Sequence, residues 1–168
     1  MEQTAELNGV NVSKMLAFKN MCQDDATKGD NNPKLFANWI GGCRSRVEFK
    51  NGALEFGGPG ELNAMQLVLT ALAVCDIDLV AVHASFLGLK IENLSVEATG
   101  HFNLQSYLGL EAESGSGYDK IDYTVRVSVP GATPGQLENL RERCERSSPV
   151  RDSLTRAIPL KLEFAANA

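Results

Sequence analysis

The sequence predicts an α+β fold of segregated strands and helices, and three observations carry that expectation. A stretch from Leu62 to Leu87 holds no Gly or Pro and is apolar on nearly every face in its first half. Short alternating runs fall on both sides of it, paired by turn signals. A Thr-Pro-Gly-Gln segment at 133–136 opens a further helix. Strands and helices grouped in this way give a layered α+β domain.

The elements follow in order. Ser13 is placed to cap a first helix running to about Thr27, with Met15, Phe18 and Cys22 at helical spacing. By composition, disorder is confined to the first dozen residues and the last few. Lys28–Pro33 is a dense turn. Leu35–Ile40, Arg44–Phe49 and Ala53–Phe56 are three strands, the last two joined at Asn51-Gly52. The cluster Gly57-Gly58-Pro59-Gly60 closes this meander. The long helix of 62–87 ends at Gly88, the usual C′ residue. A helix apolar on most faces is a central one, and one small sheet would not cover it. Ile91–His101 and Ile121–Val129 alternate as an antiparallel pair, separated by a long connection. Thr133 caps a helix to about Arg146, Ser148-Pro149 breaks it, and 149–155 turns once more. Ala157–Phe164 alternates through Ile158, Leu160, Leu162 and Phe164 as a final strand.

Composition excludes several functions. The chain of 168 residues suits one domain, with 43% hydrophobic and 22% charged residues. Its formal charge is −5 and no Lys/Arg stripe appears, which argues against nucleic acid and membrane surfaces as partners. Residues 1–12 lack the basic and apolar regions of a signal peptide. The apolar run Leu67–Cys75 is short for a bilayer span and is followed by Asp76 and Asp78. The expectation is a cytoplasmic protein. Cys22, Cys43, Cys75 and Cys144 show no metal-type spacing, so no metal and no cofactor are expected.

Four segments in the right order resemble the OsmC/Ohr superfamily over roughly residues 33–166. Trp39-Ile-Gly-Gly42 is similar to the W-x-G-G entry of many members. Met65–Cys75 resembles the helix that commonly reads P-x-E-L-L-L-x-A-L-A-x-C. Leu87-Gly88-Leu89 before a strand is a third likeness. Ser148-Pro149-Val150 with Leu154 resembles the C-P-V-x-x-x-L segment. The resemblance implies an OsmC-like fold, with antiparallel sheets around long central helices in an intertwined homodimer. It divides the chain into an N-terminal helical extension, 1–32, and an OsmC-like domain, 33–168.

It also implies a thiol peroxidase of the stress response, in which one cysteine attacks an organic hydroperoxide and a second resolves the sulfenic acid. Cys75 matches the attacking cysteine. The place of the second is taken by Ser148, with Cys144 one helical turn upstream as a displaced resolving thiol or a structural residue. The family's activating arginine follows its Gly-Gly pair. Cys43 stands at that place here, and Arg44, sharing a strand face with Arg46, is the candidate cation. The arginine's carboxylate partner falls at Met65 or Gln66, neither acidic, while Glu61 either substitutes or serves the helix N-terminus. Asp76 and Asp78 flank the thiol, and a nearby carboxylate disfavours a thiolate. His83 and His101 read as structural, and Phe86, Phe102 and Tyr107 as core or pocket lining. Two functions stay open: a peroxidase using Cys75 with Cys144 or an external thiol reductant, and a non-catalytic dimer binding a small hydrophobic ligand.

Overall fold

A computed structural model describes residues 6–113 and 115–166. The described residues form seven strands and four α-helices, in the order β1 Glu6–Leu7, β2 Val10–Asn11, α1 Val12–Asp24, β3 Phe36–Trp39, β4 Ser45–Phe49, β5 Gly52–Phe56, α2 Ala64–Phe86, β6 Asn93–Phe102, β7 Tyr118–Ser128, α3 Pro134–Ser147 and α4 Pro149–Thr155. All strand pairing is antiparallel: a β1-β2 hairpin, a β3-β4-β5 meander and a long β6-β7 ribbon. The α+β expectation holds.

α2 starts where its sequence provides a reciprocal cap. The Asn63 side chain accepts from the Gln66 amide at 2.9 Å, and the Gln66 side chain accepts from the Asn63 amide at 3.0 Å. α3 begins the same way, through Thr133 and Gln136. The core lies where α2, α3 and the β6-β7 ribbon meet. Val80, Ala84, Leu89 and Leu140 are buried there, with Leu94, Val125, Val127 and Cys144 packed around them.

The N-terminus departs from expectation. Asn11 and not Ser13 caps α1, accepting from the Lys14 amide. Ahead of it Asn8 and Gly9, both at positive φ, turn the small β1-β2 hairpin. Asn8 sews that hairpin to the end of α2: its side chain donates to the Leu89 carbonyl at 2.9 Å and accepts from the Ile91 amide at 2.8 Å. Ser85 adds a bond to the Leu7 carbonyl. α1 is thereby laid along the last turns of α2. The extension's first five residues lie outside the described range.

Two further expectations are corrected. Phe49 pairs with Gly52, so Lys50-Asn51 forms the turn and Gly52 already belongs to β5. Ala157–Phe164 forms no strand, and Leu160, Leu162 and Phe164 stand almost fully exposed. An alternating segment needs a neighbouring strand edge to complete its ladder, and this chain brings none to it. The meander is likewise open, with Phe36 and Trp39 on its surface, and α2 exposes Val74 and Ile77. α2 is also long and apolar enough, by length and composition, to cross a bilayer, which the shorter run Leu67–Cys75 concealed. It packs on β6, α3 and α4, and it buries a carboxylate midway along its length, Asp76, at 3% exposure.

Candidate functional site

The residues around Cys75 come from three elements. Cys75 and Asp76 are neighbours on α2, and Ser148 is the joint between α3 and α4. α4 begins at Pro149, so Ser148 is its N-cap and accepts from the Arg151 amide at 3.4 Å. That cap turns the Ser148 hydroxyl inward. Its Oγ lies 3.6 Å from Cys75 Sγ and donates to Asp76 Oδ1 at 2.8 Å. A hydroxyl carries one proton. With that proton on Asp76, Ser148 accepts from the Cys75 S–H. The chain of bonds runs from thiol to hydroxyl to carboxylate.

Ser148 and Asp76 are both buried, and Cys75 is half-buried. Asp76 is therefore withdrawn from solvent, and its carboxylate is directed at the joint. It also acts on its neighbours. Burial raises the Tyr123 phenol above its ordinary range, and the Asp76 charge raises it further. The Cys144 thiol is pushed up to about 11, first by burial and then by Asp76, with Arg151 opposing. Cys144 stays a neutral thiol near pH 7 and packs against the core cluster. Arg151 donates to the Cys144 carbonyl at 2.6 Å, which fixes the end of α3 against the start of α4.

Beside this joint lies a groove of about 440 Å³, walled by Val80, Val125, Val127 and Leu140, with Asp76 and Arg151 at its polar side. Tyr123, Arg151 and Asp76 are site residues that the sequence did not single out as helpful. Arg151 had a usable signal: it stands three residues after the cap, in the first turn of α4. Tyr123 had none, because its place depends on how the β6-β7 ribbon packs against α2.

Arg44 belongs to a second constellation. Its guanidinium bonds Glu55 at 2.6 Å and Glu61 at 2.8 Å, and Glu61 in turn accepts from the Gly58 amide at 2.8 Å. Glu61 thus lies ahead of α2 as the arginine's partner. That pairing holds the Glu61 carboxyl below the usual range and raises Arg44. The glycine turn is required by close approach: a Cβ on Gly57, at φ +90°, would stand 2.4 Å from the Cys43 carbonyl oxygen. Arg44 makes no hydrogen bond to Cys75 within the chain.

The remaining candidates are scattered. Gln66 is committed to the α2 cap. Met65 receives the Tyr118 hydroxyl on its backbone carbonyl at 2.7 Å, where the Tyr118 ring fills the space over Gly100. Cys43 is exposed and shares a groove with Met65, Phe102 and Tyr107, apart from the Cys75 joint. His101 pairs with Asp122 at 3.2 Å.

A long helix against an antiparallel ribbon, with a helix-helix joint brought onto a mid-helix cysteine, defines the class of small α+β proteins that place a thiol on a central helix. Residues 57–163 match the OsmC-like protein family, and the chain belongs to that family. No curated protein matches it. Among solved structures it is similar to an OsmC-like protein of Mycoplasma pneumoniae, at 13% identity and TM-score 0.64 over 75% of this chain and 89% of that one. An OsmC-like protein of unknown function from Vibrio cholerae gives 13% and 0.61 over 74% and 94%. An organic hydroperoxide resistance protein from Legionella pneumophila gives 18% and 0.52 over 74% and 91%. These likenesses establish the fold.

Proposed function

We propose that the protein reduces organic hydroperoxides with Cys75 and has no internal resolving cysteine. The observation that carries this reading is the Cys75–Ser148–Asp76 chain. It gives the thiol proton a path to a buried base, which a thiol lacking a cationic neighbour needs. The sulfur attacks one peroxide oxygen as its proton passes through Ser148 to Asp76. The O–O bond breaks, and the departing alkoxide takes that proton back. Thiol and ROOH become sulfenic acid and ROH. The apolar groove beside the joint suits a hydroperoxide with an organic substituent.

Ser148 stands where the family's second cysteine would stand, and it forms no disulfide. Cys144, with a pKa near 11, presents a thiolate fraction of about 10⁻⁴ at pH 7 and is a poor internal attacker. Two equivalents of a small external thiol complete the cycle, giving water, a disulfide and free Cys75. The reading includes a homodimer: a second copy would cover the exposed α2 residues Val74 and Ile77 and the apolar face of the meander.

The test is cumene hydroperoxide titration with a sulfenic-acid trap and mass spectrometry. The expected product is a trapped sulfenic acid on Cys75, with no Cys75–Cys144 bridge, and loss of peroxide consumption in Cys75→Ser. A Cys75 that stays reduced while other thiols oxidise overturns the reading. It would favour a non-catalytic dimer binding a small hydrophobic ligand, the reading supported by Arg44 being committed to Glu55 and Glu61.

A further inference from the structure

A second groove, remote from the Cys75 joint, lies between α1 and the last turns of α2, with a volume of about 420 Å³. Its apolar walls are Met15, Phe18 and Phe86, and Lys19 and Arg143 enter it from α1 and α3. Among the described residues neither has an acidic partner within salt-bridge distance. Arg143 donates to the Asn139 side chain at 3.0 Å, and the Lys19 ammonium lies 6.0 Å from the Phe86 ring centre.

His83 lines the same groove. Its ring meets Phe86 edge-on, and its buried Nδ1 has no hydrogen-bond partner among the described residues. Burial, Arg143 and Lys19 hold His83 toward its neutral form, leaving the positive charge on the lysine and the arginine. Two unpaired cations at the edge of an aromatic slot complement one class of ligand: an anion with an apolar body.

We propose that the α1–α2 groove binds a small organic carboxylate, its acid group held by Lys19 and Arg143 and its aromatic or aliphatic body against Phe18 and Phe86. The site is built from the N-terminal helix, which the Asn8 hairpin fixes in place. It shares no residue with the groove beside Cys75.

The probe is 2-naphthoate, with uncharged 2-naphthamide as its counterpart, titrated into the intact protein by calorimetry. Naphthoate is expected to bind at least tenfold more tightly than the amide. The double variant Lys19→Gln/Arg143→Gln, checked for an unchanged unfolding temperature, should lose at least tenfold of that affinity. Cys22, which lines the groove, locates the ligand. Saturating naphthoate should slow its alkylation by iodoacetamide several-fold and leave the exposed Cys43 unaffected. Equal binding of naphthoate and amide, unchanged affinity in the double variant, or equal slowing of both cysteines overturns the site. So does a Cys22 that resists alkylation in the ligand-free native protein, since the groove is then already covered.

Discussion

Replacing Ser148 by cysteine tests the geometry of the Cys75 joint directly. The wild-type hydroxyl is 3.6 Å from Cys75 Sγ, so a disulfide at about 2.05 Å requires an approach of about 1.5 Å. The residues lie 73 apart, and a loop of that length gives an entropic stabilisation of about 4 kcal/mol when closed without strain. Against this, Asp76 loses the hydroxyl donor and keeps only a weak thiol one. An under-satisfied buried acceptor costs about 1–3 kcal/mol. Reduced S148C is therefore less stable than wild type, and oxidised S148C unfolds well above its own reduced form, by about 10 °C at 2–4 °C per kcal/mol. The assay is thermal unfolding with and without reductant, together with thiol titration. The variant has five cysteines against the natural four, and one equivalent of cumene hydroperoxide should leave three free. Five free thiols, or a bridge to Cys144, would refute the placement of Ser148 beside Cys75.

Four further outcomes follow from the same structure. Asp76→Asn removes the buried base, so the rate of Cys75 oxidation should fall about 10²–10⁴-fold, and Cys144 alkylation should begin at lower pH because a charge that raises its pKa is gone. Cys144 also imposes a pH dependence on stability: its pKa is about 11 folded against 9.0 ordinarily. Its contribution is complete below pH 9 and declines as pH rises to 11, a decline in unfolding temperature that Cys144→Ala should lessen. Leu140→Ala opens a cavity in the core and should cost about 2–5 kcal/mol in denaturant unfolding. Asn8→Ala should expose the Ile91 amide to hydrogen exchange, since Asn8 Oδ1 is its acceptor; retained protection there would show that the hairpin is held by other contacts.

The central helix was legible because its signals are local: a run without Gly or Pro, and Gly88 just beyond its end. The meander and the ribbon were legible from alternation. The Asn8-Gly9 hairpin was not, although it carries the same dipeptide signal as Asn51-Gly52. Its strands are two residues long, too short to show a period, and its support comes from Ser85, Leu89 and Ile91, far along the chain.

The sequence by itself determined which residues form the long helix, that the meander and the long ribbon pair, and that Cys75 sits in an OsmC-like setting with serine at the second cysteine's place. Tertiary structure alone decided what surrounds that thiol. A helix apolar on nearly every face has no polar stripe to fix its rotation, so the direction of Asp76 was set only when α3, α4 and the β6-β7 ribbon packed against it. The same packing turned Ser148 onto Cys75 and withdrew Cys144 into the core, while the β4-β5 pairing and the glycine turn after it gave Arg44 to Glu55 and Glu61. Spacing along a helix tells which side chains share a face, but the partner that face meets is a property of the whole fold.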